Sequence, residues 1–274
     1  MVFFFTGAAR RPPLSNPMRI RSRALLGAFA ALGLLASPPA AAQTAPQGVK
    51  NIVLVHGAFA DGSSYAKIIP LLEAKGYHVT AVQNPLTSLA DDVAATKRAL
   101  AQQDGPVLLV GHSWGGVVIS DAGNDPKVAG LVYIAAAAPD ANQSLGELTK
   151  NAPTPGIKQI KASDGFLSLT TQGINADFAQ DLTPTERQVI AATQQPIAAA
   201  AFGEKVATVA WQTKPSWYIV ASQDHMISPA LEAEMAKKIK ATTLTLDASH
   251  VPMLSQPAKV AAFIEAAAKK APTK

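Results

Sequence analysis

The stretch VLLVGHSWG, from Val107 to Gly115, decides the fold. Its first four residues form an apolar run typical of a buried strand, and the residues after it can continue as a helix. Gly111 and Gly115 flank Ser113 in the pattern Gly-x-Ser-x-Gly. Glycines at these positions relieve crowding in a sharp turn from strand to helix, which exposes the serine hydroxyl. The stretch therefore predicts a nucleophile elbow with Ser113 as the nucleophile; the alternative is a tight turn whose serine only caps the helix.

Strand-like apolar runs alternate with helical patterns from residue 50 onward. The alternation predicts an α/β fold in which helices flank a mostly parallel sheet of about six strands. The predicted strands cover residues 52–55, 78–83, 107–110, 128–135, 217–221 and 244–246. The predicted helices cover residues 65–75, 91–103, 114–124, 229–240 and 257–270. Pro70 should kink the first of these helices or delay its start.

The alternation is interrupted between about residues 139 and 214. This segment contains five prolines and helical fragments but no strand pattern. An insertion of this length between two core strands is too long for a loop. It predicts a small helical cap on a single domain that spans residues 43–274.

Residues 1–42 have the organisation of an export signal. Five arginines and no acidic residue accompany an apolar run of 13 residues, from Ala24 to Ala36, and small residues follow it. Such a run is too short for an ordinary membrane span. We expect cleavage of this signal peptide after Ala42, which would leave a periplasmic or secreted protein without a stable membrane anchor. An uncleaved anchor and a start at Met18 are the alternatives.

The basic excess of the chain belongs to this leader. The chain carries 24 Lys and Arg against 19 Asp and Glu, so removing the five leader arginines leaves 19 of each sign. No basic cluster remains that would favour a nucleic acid as partner. The absence of cysteine from the sequence excludes disulfides, a thiol nucleophile and a thiolate metal site. These properties favour a small uncharged molecule as the partner; they predict no metal and leave the oligomeric state open.

A serine nucleophile requires a base and a carboxylate that orients the base. His250 follows the last predicted strand, and Asp224 follows the strand before it. The order Ser113, Asp224, His250 along the chain differs from the orders of chymotrypsin-like and subtilisin-like serine triads. Asp140, which follows another strand, is the alternative acid, and Asp247 is more typical of a turn residue.

The reaction also requires two donors to the oxyanion. The sequence His56-Gly57-Ala58-Phe59 ends the first predicted strand. Gly57 allows the backbone to bend, so we expect the N–H groups of Ala58 and Trp114 to form the oxyanion hole, with Phe59 the alternative to Ala58. An ordinary His-Gly turn is the competing interpretation. The remaining histidines are assigned structural or supporting roles: His56, His78, His112 and His225.

These motifs together resemble the α/β-hydrolase family, and within it the group that contains plant methylesterases and hydroxynitrile lyases. The resemblance covers nearly all of the chain after residue 50 and is weakest in the cap. The resemblance rests on the segments 53–58, 71–77, 110–116 and 138–140, and on the residues around Asp224 and His250. The resemblance implies a cofactor-independent esterase in which Ser113 attacks the ester carbonyl, His250 moves the proton and Asp224 orients His250.

Two positions depart from the hydroxynitrile lyase pattern. Those lyases carry a lysine directly after the catalytic histidine and a threonine at the oxyanion turn, where this chain has Val251 and Gly57. The departure favours hydrolysis over cyanohydrin cleavage. Other cofactor-free chemistry on the same fold, and a ligand-binding protein without catalysis, are the alternatives.

Aromatic side chains are the candidates for the substrate pocket. They are Phe59, Phe166, Phe178, Phe202 and Trp211, together with Trp114. A pocket of this kind suits a small uncharged ester better than a polyanionic one. For the phenylalanines of the cap, a place in the core is the alternative.

Overall fold

The computed structural model describes residues 46–273. The predicted signal peptide therefore lies outside the described residues. Within them, no helix has both the length and the apolar character that crossing a membrane would require.

In chain order the strands are β1 (Asn51–Val55), β2 (His78–Val82), β3 (Val107–His112), β4 (Val128–Ile134), β5 (Gln143–Ser144), β6 (Ile160–Ser163), β7 (Phe166–Leu169), β8 (Ile197–Ala198), β9 (Lys205–Val206), β10 (Ser216–Ala221) and β11 (Thr242–Leu246). The helices are α1 (Ile69–Glu73), α2 (Leu89–Ala101), α3 (Gly115–Ala122), α4 (Leu145–Thr149), α5 (Thr171–Gly173), α6 (Pro184–Thr193), α7 (Pro229–Lys238), α8 (Pro252–Ser255) and α9 (Pro257–Lys270). Short 3-10 segments at Gly62–Tyr65, Pro155–Gln159, Ala199–Gly203 and Ala210–Gln212, and a π-helical turn at Ile174–Phe178, complete the regular structure.

Six strands form one parallel sheet in the order β11-β10-β4-β3-β1-β2. The four inner strands are buried along their whole length, which is why their sequences are continuous apolar runs. The edge strands β2 and β11 are partly exposed and carry more polar residues. The sheet confirms the predicted α/β class.

The strands point in one direction, so their carboxyl ends meet at one edge of the sheet. The segment after β1 begins with His56, and Ser113 directly follows β3. Asp224 lies in the loop after β10, and His250 lies in the loop after β11. Four segments that are far apart in the sequence therefore supply the same edge.

The segment between β4 and β10, called the cap below, differs from the predicted one. It contains α4, α5 and α6, but also five short strands in two antiparallel sheets. The expectation that it lacks strands is wrong, because strands of two to four residues are too short to produce an alternating pattern. One signal was present: Asp164-Gly165 joins β6 to β7 with φ values of 50° and 81°, as in a two-residue hairpin turn.

The first core helix starts later than its apolar pattern suggests. The region around Tyr65 is a 3-10 turn, and α1 begins at Ile69 with Pro70 in its first turn. A proline there costs no helical hydrogen bond, which explains the delayed start.

Candidate active site

Ser113 occupies a strained turn between β3 and α3. Its φ is 53°, in the left-handed region that disfavours side chains with a Cβ. The turn is close-packed: a Cβ at Gly115 would collide with the backbone carbonyl of Val55. Glycine is therefore required at position 115 for this tight turn, which leaves the hydroxyl group of Ser113 accessible at the edge of the sheet.

Ser113, His250 and Asp224 form a continuous hydrogen-bonded chain. The Oγ–H of Ser113 donates to Nε2 of His250 at 2.8 Å, and Nδ1–H of His250 donates to Oδ2 of Asp224 at 2.5 Å. A carboxylate accepts only, so the proton of the neutral ring belongs on Nδ1 and Nε2 remains free to accept. His250 is 1% exposed and Asp224 is 3% exposed. The arrangement provides a serine hydroxyl with a base aimed at its proton.

The loop after β10 fixes the orientation of Asp224. Oδ1 accepts from the backbone N–H groups of Met226 at 2.6 Å and Ile227 at 3.0 Å. The other oxygen, Oδ2, is thereby directed at His250.

A second buried carboxyl group, that of Glu232 on α7, contacts Asp224. Glu232 is 0% exposed, and its Oε2 accepts from the N–H of Ala221 at 3.0 Å. Burial, followed by the charge of Asp224, raises the pKa of Glu232 well above its usual value. Glu232 is therefore the member of the pair that favours the protonated form. Sequence reasoning missed this residue because an acid in a helix is normally solvent-exposed.

Two residues that share a cavity with Ser113 have backbone N–H groups without an acceptor among the described residues. Within residues 46–273, neither the N–H of Ala58 nor that of Trp114 has an acceptor in the protein. Ala58 and Trp114 both line the cavity at Ser113. A Cβ at Gly57 would lie 2.7 Å from the Cβ of Ser113, so only glycine lets the first strand's turn approach the elbow this closely. These two N–H groups are therefore available for the oxyanion role that the sequence predicts for them.

The indole of Trp114 is held by a buried acid that the sequence did not reveal. Its Nε1–H donates to Oδ2 of Asp92 at 2.8 Å, and Oδ1 of Asp92 accepts from the N–H of Leu86 at 2.8 Å. Burial raises the pKa of Asp92 to about 6, against the lowering effect of the Trp114 and Leu86 hydrogen bonds. Asp92 positions the aromatic wall of the cavity.

His112 contacts both the backbone and the imidazole ring of His250. Its Nε2–H donates to the backbone carbonyl of His250 at 2.7 Å, and the two ring centroids are 4.8 Å apart. Burial lowers the pKa of His112 well below its usual value, so the ring is neutral. This supporting position agrees with the role that the sequence predicted for His112.

The alternative acids lie away from His250. Asp140 has a side chain that is 54% exposed and pairs with Lys238 at 3.2 Å. Asp247 is exposed and accepts from the hydroxyl of Ser222 at 3.4 Å. Neither carboxylate reaches the imidazole, which leaves Asp224 as its hydrogen-bond partner.

A cavity of about 80 Å³, called the catalytic pocket below, opens at Ser113 and His250. Phe59, Phe178 and Phe202 line it, as does Trp114. Aliphatic residues that the sequence did not single out complete the walls: Leu145, Ile157, Ile160, Met226 and Ile227. The pocket is thus mostly apolar apart from the triad and the two backbone donors.

Two aromatic residues expected in this pocket lie elsewhere, which corrects the prediction. Phe166 is 40% exposed on β7, beside the Asp164-Gly165 turn, where the strand alternation directs it to solvent. Trp211 donates its Nε1–H to the carbonyl of Pro139 at 2.9 Å, and the ammonium of Lys238 lies over its ring. Trp211 therefore stabilises the base of the cap rather than the pocket.

Within the part of the chain that the structure describes, no group of three or more histidines and acidic residues could hold a metal ion.

Comparison with known proteins gives consistent matches. Residues 52–263 match the Alpha/beta hydrolase family. A pyrethroid hydrolase of Sphingobium wenxiniae is 29% identical, over 79% of this chain and 86% of that protein. Methylesterase 7 of Arabidopsis thaliana is 24% identical, over 78% of this chain and 95% of that protein. The crystal structure of a pyrethroid hydrolase from Sphingobium faniae JZ-2 superimposes with a TM-score of 0.71 at 26% identity, covering 81% of this chain and 98% of that one.

The matched range contains the elbow, Asp224 and His250, and the methylesterase match confirms the group that the motifs resemble. The chain belongs to the alpha/beta hydrolase family.

Proposed function

We propose that the protein is a serine hydrolase that cleaves small uncharged carboxylic esters through an acyl-enzyme. The observation that carries the proposal is the 2.8 Å hydrogen bond between Ser113 Oγ and Nε2 of a histidine whose other nitrogen is held by a carboxylate. The esterase and hydrolase names of the relatives support the same reaction class. The apolar lining of the catalytic pocket supports an uncharged substrate.

Acylation begins when Oγ of Ser113 attacks the ester carbonyl carbon and its proton passes to Nε2 of His250. The carbonyl oxygen becomes an oxyanion and accepts from the N–H groups of Ala58 and Trp114. The imidazolium is stabilised by Asp224, which remains ionised. His250 then gives its proton to the leaving alkoxide, so the alcohol departs and the acyl group stays on Ser113.

Deacylation repeats these steps with water. His250 removes a proton from a water molecule, whose oxygen attacks the acyl carbon. The same two N–H groups stabilise the second oxyanion. Its collapse breaks the bond to Ser113 Oγ, which takes back the proton from His250, and the carboxylic acid leaves.

The surroundings of His250 favour this reaction over cyanohydrin cleavage. The next residue, Val251, is 1% exposed and apolar, so it supplies no positive charge to stabilise a departing cyanide. The free N–H groups at Ala58 and Trp114 suit a tetrahedral oxyanion instead. An intact triad also gives no support to a ligand-binding protein without catalysis.

The proposal includes export, because the first 42 residues carry the arginines, apolar run and small residues of a signal peptide. Amino-terminal sequencing of the protein from a periplasmic or medium fraction tests this. A mature terminus at Gln43 is expected, and an intact leader in the cytoplasmic fraction alone contradicts export.

Hydrolysis assays on the purified protein test the reaction class. We expect hydrolysis of short alkyl and aryl esters that disappears in Ser113→Ala, and no cyanide release from mandelonitrile above background. Cyanide release that depends on Ser113, with short esters left intact, would instead identify a lyase.

A further inference from the structure

We infer that the preferred substrate is an ester with a bulky apolar alcohol portion, and that a second cavity beside the catalytic pocket binds this portion. The inference rests on the proposed function, since it assigns the two portions of the ester cleaved at Ser113.

The second cavity, called the side groove below, lies between the Gly62–Tyr65 turn and the cap helix α6. Its volume is about 250 Å³. Phe59 and Phe178 line both the side groove and the catalytic pocket. Val251, which directly follows His250, lines the groove as well. The two spaces therefore adjoin at these two aromatic side chains.

The volumes indicate that an ester of ordinary size needs both spaces. Sites for drug-sized ligands have volumes of about 300 Å³ or more. The catalytic pocket, at about 80 Å³, falls far below this, and the groove alone falls short of it. Only the two together reach it. The catalytic pocket has room for the ester group and a compact acyl portion, and the side groove has room for a larger portion of the substrate.

The side chains of the groove favour an apolar occupant. Leu182, Val189 and Ile190 form its wall on the cap side. Val189 is 55% exposed, so an apolar group in the groove would remove this side chain from water. Burial of such aliphatic surface favours an apolar alcohol portion over a polar one.

The charges at the rim disfavour an anionic occupant. Lys67 lines the groove, but its Nζ pairs with Oε1 of Glu186 at 2.5 Å and donates to the carbonyl of Leu254 at 2.8 Å. The nearby carboxylate of Asp61 accepts from the N–H and hydroxyl of Ser63. An anion would meet Asp61 without finding an unpaired cation on Lys67, so a neutral group fits better.

The position of the groove relative to His250 indicates which portion of the ester it takes. His250 Nε2 must protonate the oxygen of the leaving alcohol, so this oxygen lies next to the imidazole. Val251 and Leu254, on the loop and short helix that follow His250, line the groove. The alcohol portion is thus the one that continues into it.

Two isomeric esters separate the alternatives. Benzyl acetate carries its ring on the alcohol portion, and methyl phenylacetate carries the same ring on the acyl portion. We expect kcat/KM to be at least about tenfold higher for benzyl acetate, the discrimination that a few apolar contacts provide. Ethyl acetate serves as the substrate that does not enter the groove.

Two variants of α6 test the groove itself. Val189→Trp fills it from the exposed surface, whereas Gln188→Trp adds the same side chain to the neighbouring exposed position, which lines a different surface cavity. We expect Val189→Trp to lower the ratio of kcat/KM for benzyl acetate to kcat/KM for ethyl acetate at least about tenfold. Gln188→Trp should leave this ratio unchanged.

Each contrary result has its own meaning. A protein that hydrolyses none of the three esters in a Ser113-dependent way overturns the proposed function. Ser113-dependent hydrolysis without a preference for benzyl acetate, or with equal losses for both esters in Val189→Trp, overturns the role of the groove. A preference for methyl phenylacetate assigns the large portion to the acyl side and overturns the inference as stated.

Discussion

The buried carboxyl group of Glu232 lies beside the carboxylate of Asp224, the hydrogen-bond partner of His250. Asp224 receives hydrogen bonds from His250 and from the backbone N–H groups of Met226 and Ile227. Two adjacent buried carboxylates repel each other strongly, so the pair favours one ionised and one protonated carboxyl group. With Glu232 protonated, the negative charge of Asp224 faces His250 without a competing charge beside it.

Replacing Glu232 by glutamine should preserve activity and change its pH dependence. The amide of Glu232→Gln is neutral at every pH and keeps an oxygen that can accept from the N–H of Ala221, so hydrolysis near neutral pH should stay close to the native rate. At alkaline pH the native protein should lose activity as Glu232 ionises, and the variant should not. Profiles of kcat/KM against pH measure this, with Glu234→Gln, exposed on the same helix, as the control. Superimposable profiles for the native protein and Glu232→Gln would refute the role of Glu232.

The same residue should make the folded state less stable as pH rises. Glu232 binds its proton more tightly in the folded state than in the unfolded state, because burial raises its pKa. The free energy of unfolding contributed by this group is present below the unfolded pKa of about 4.3 and is lost as pH rises through the folded pKa. Urea unfolding at several pH values should therefore show a steeper alkaline decline for the native protein than for Glu232→Gln. Equal declines would contradict the raised pKa.

Exchanging the candidate acids should give unequal effects. Asp224→Asn removes the acceptor that fixes the His250 tautomer, so kcat should fall by on the order of 10³ or more. Asp140→Asn removes only an exposed ion pair with Lys238, so the effect should be within about twofold. Steady-state kinetics on one ester compare the two, and the reverse ranking would move the acid to the end of β4.

Removing the carboxylate of Asp92 should lower the stability of the folded protein, because two buried N–H groups lose their acceptor. Asp92→Ala leaves the indole N–H of Trp114 and the backbone N–H of Leu86 buried without acceptors. Each unsatisfied group costs about 1–3 kcal/mol, so the free energy of unfolding should fall by about 2–6 kcal/mol. Asp91→Ala, at an exposed position of the same turn, should cost less. A loss for Asp92→Ala no larger than for Asp91→Ala would exclude this positioning role.

The candidate site could be predicted from the sequence for those residues whose position is set by the ends of the core strands. Ser113, Asp224 and His250 follow buried apolar strands, and parallel strands bring their carboxyl ends together. The roles of Glu232 and Asp92 were not predictable, because the burial of an acid on a helix depends on which element packs over it. Phe166 and Trp211 show the same limit for aromatic side chains in the cap, where short strands and turns set the direction of each residue.

The triad residues should behave as one unit. Ser113→Ala and His250→Ala should each lower kcat by several orders of magnitude, and the double variant should be little worse than either, because each loss already removes the same reaction path. Kinetics on the three variants measure this. Multiplicative losses in the double variant would show that the two residues act independently.

Labelling of the nucleophile tests the central claim most directly. A fluorophosphonate reacts with an activated serine hydroxyl, so intact-mass measurement of the native protein should show one equivalent bound, and peptide mapping should assign it to Ser113. Ser113→Ala should take up none. A native protein that remains unlabelled, or equal labelling of Ser113→Ala, would contradict the assignment of Ser113 as the nucleophile.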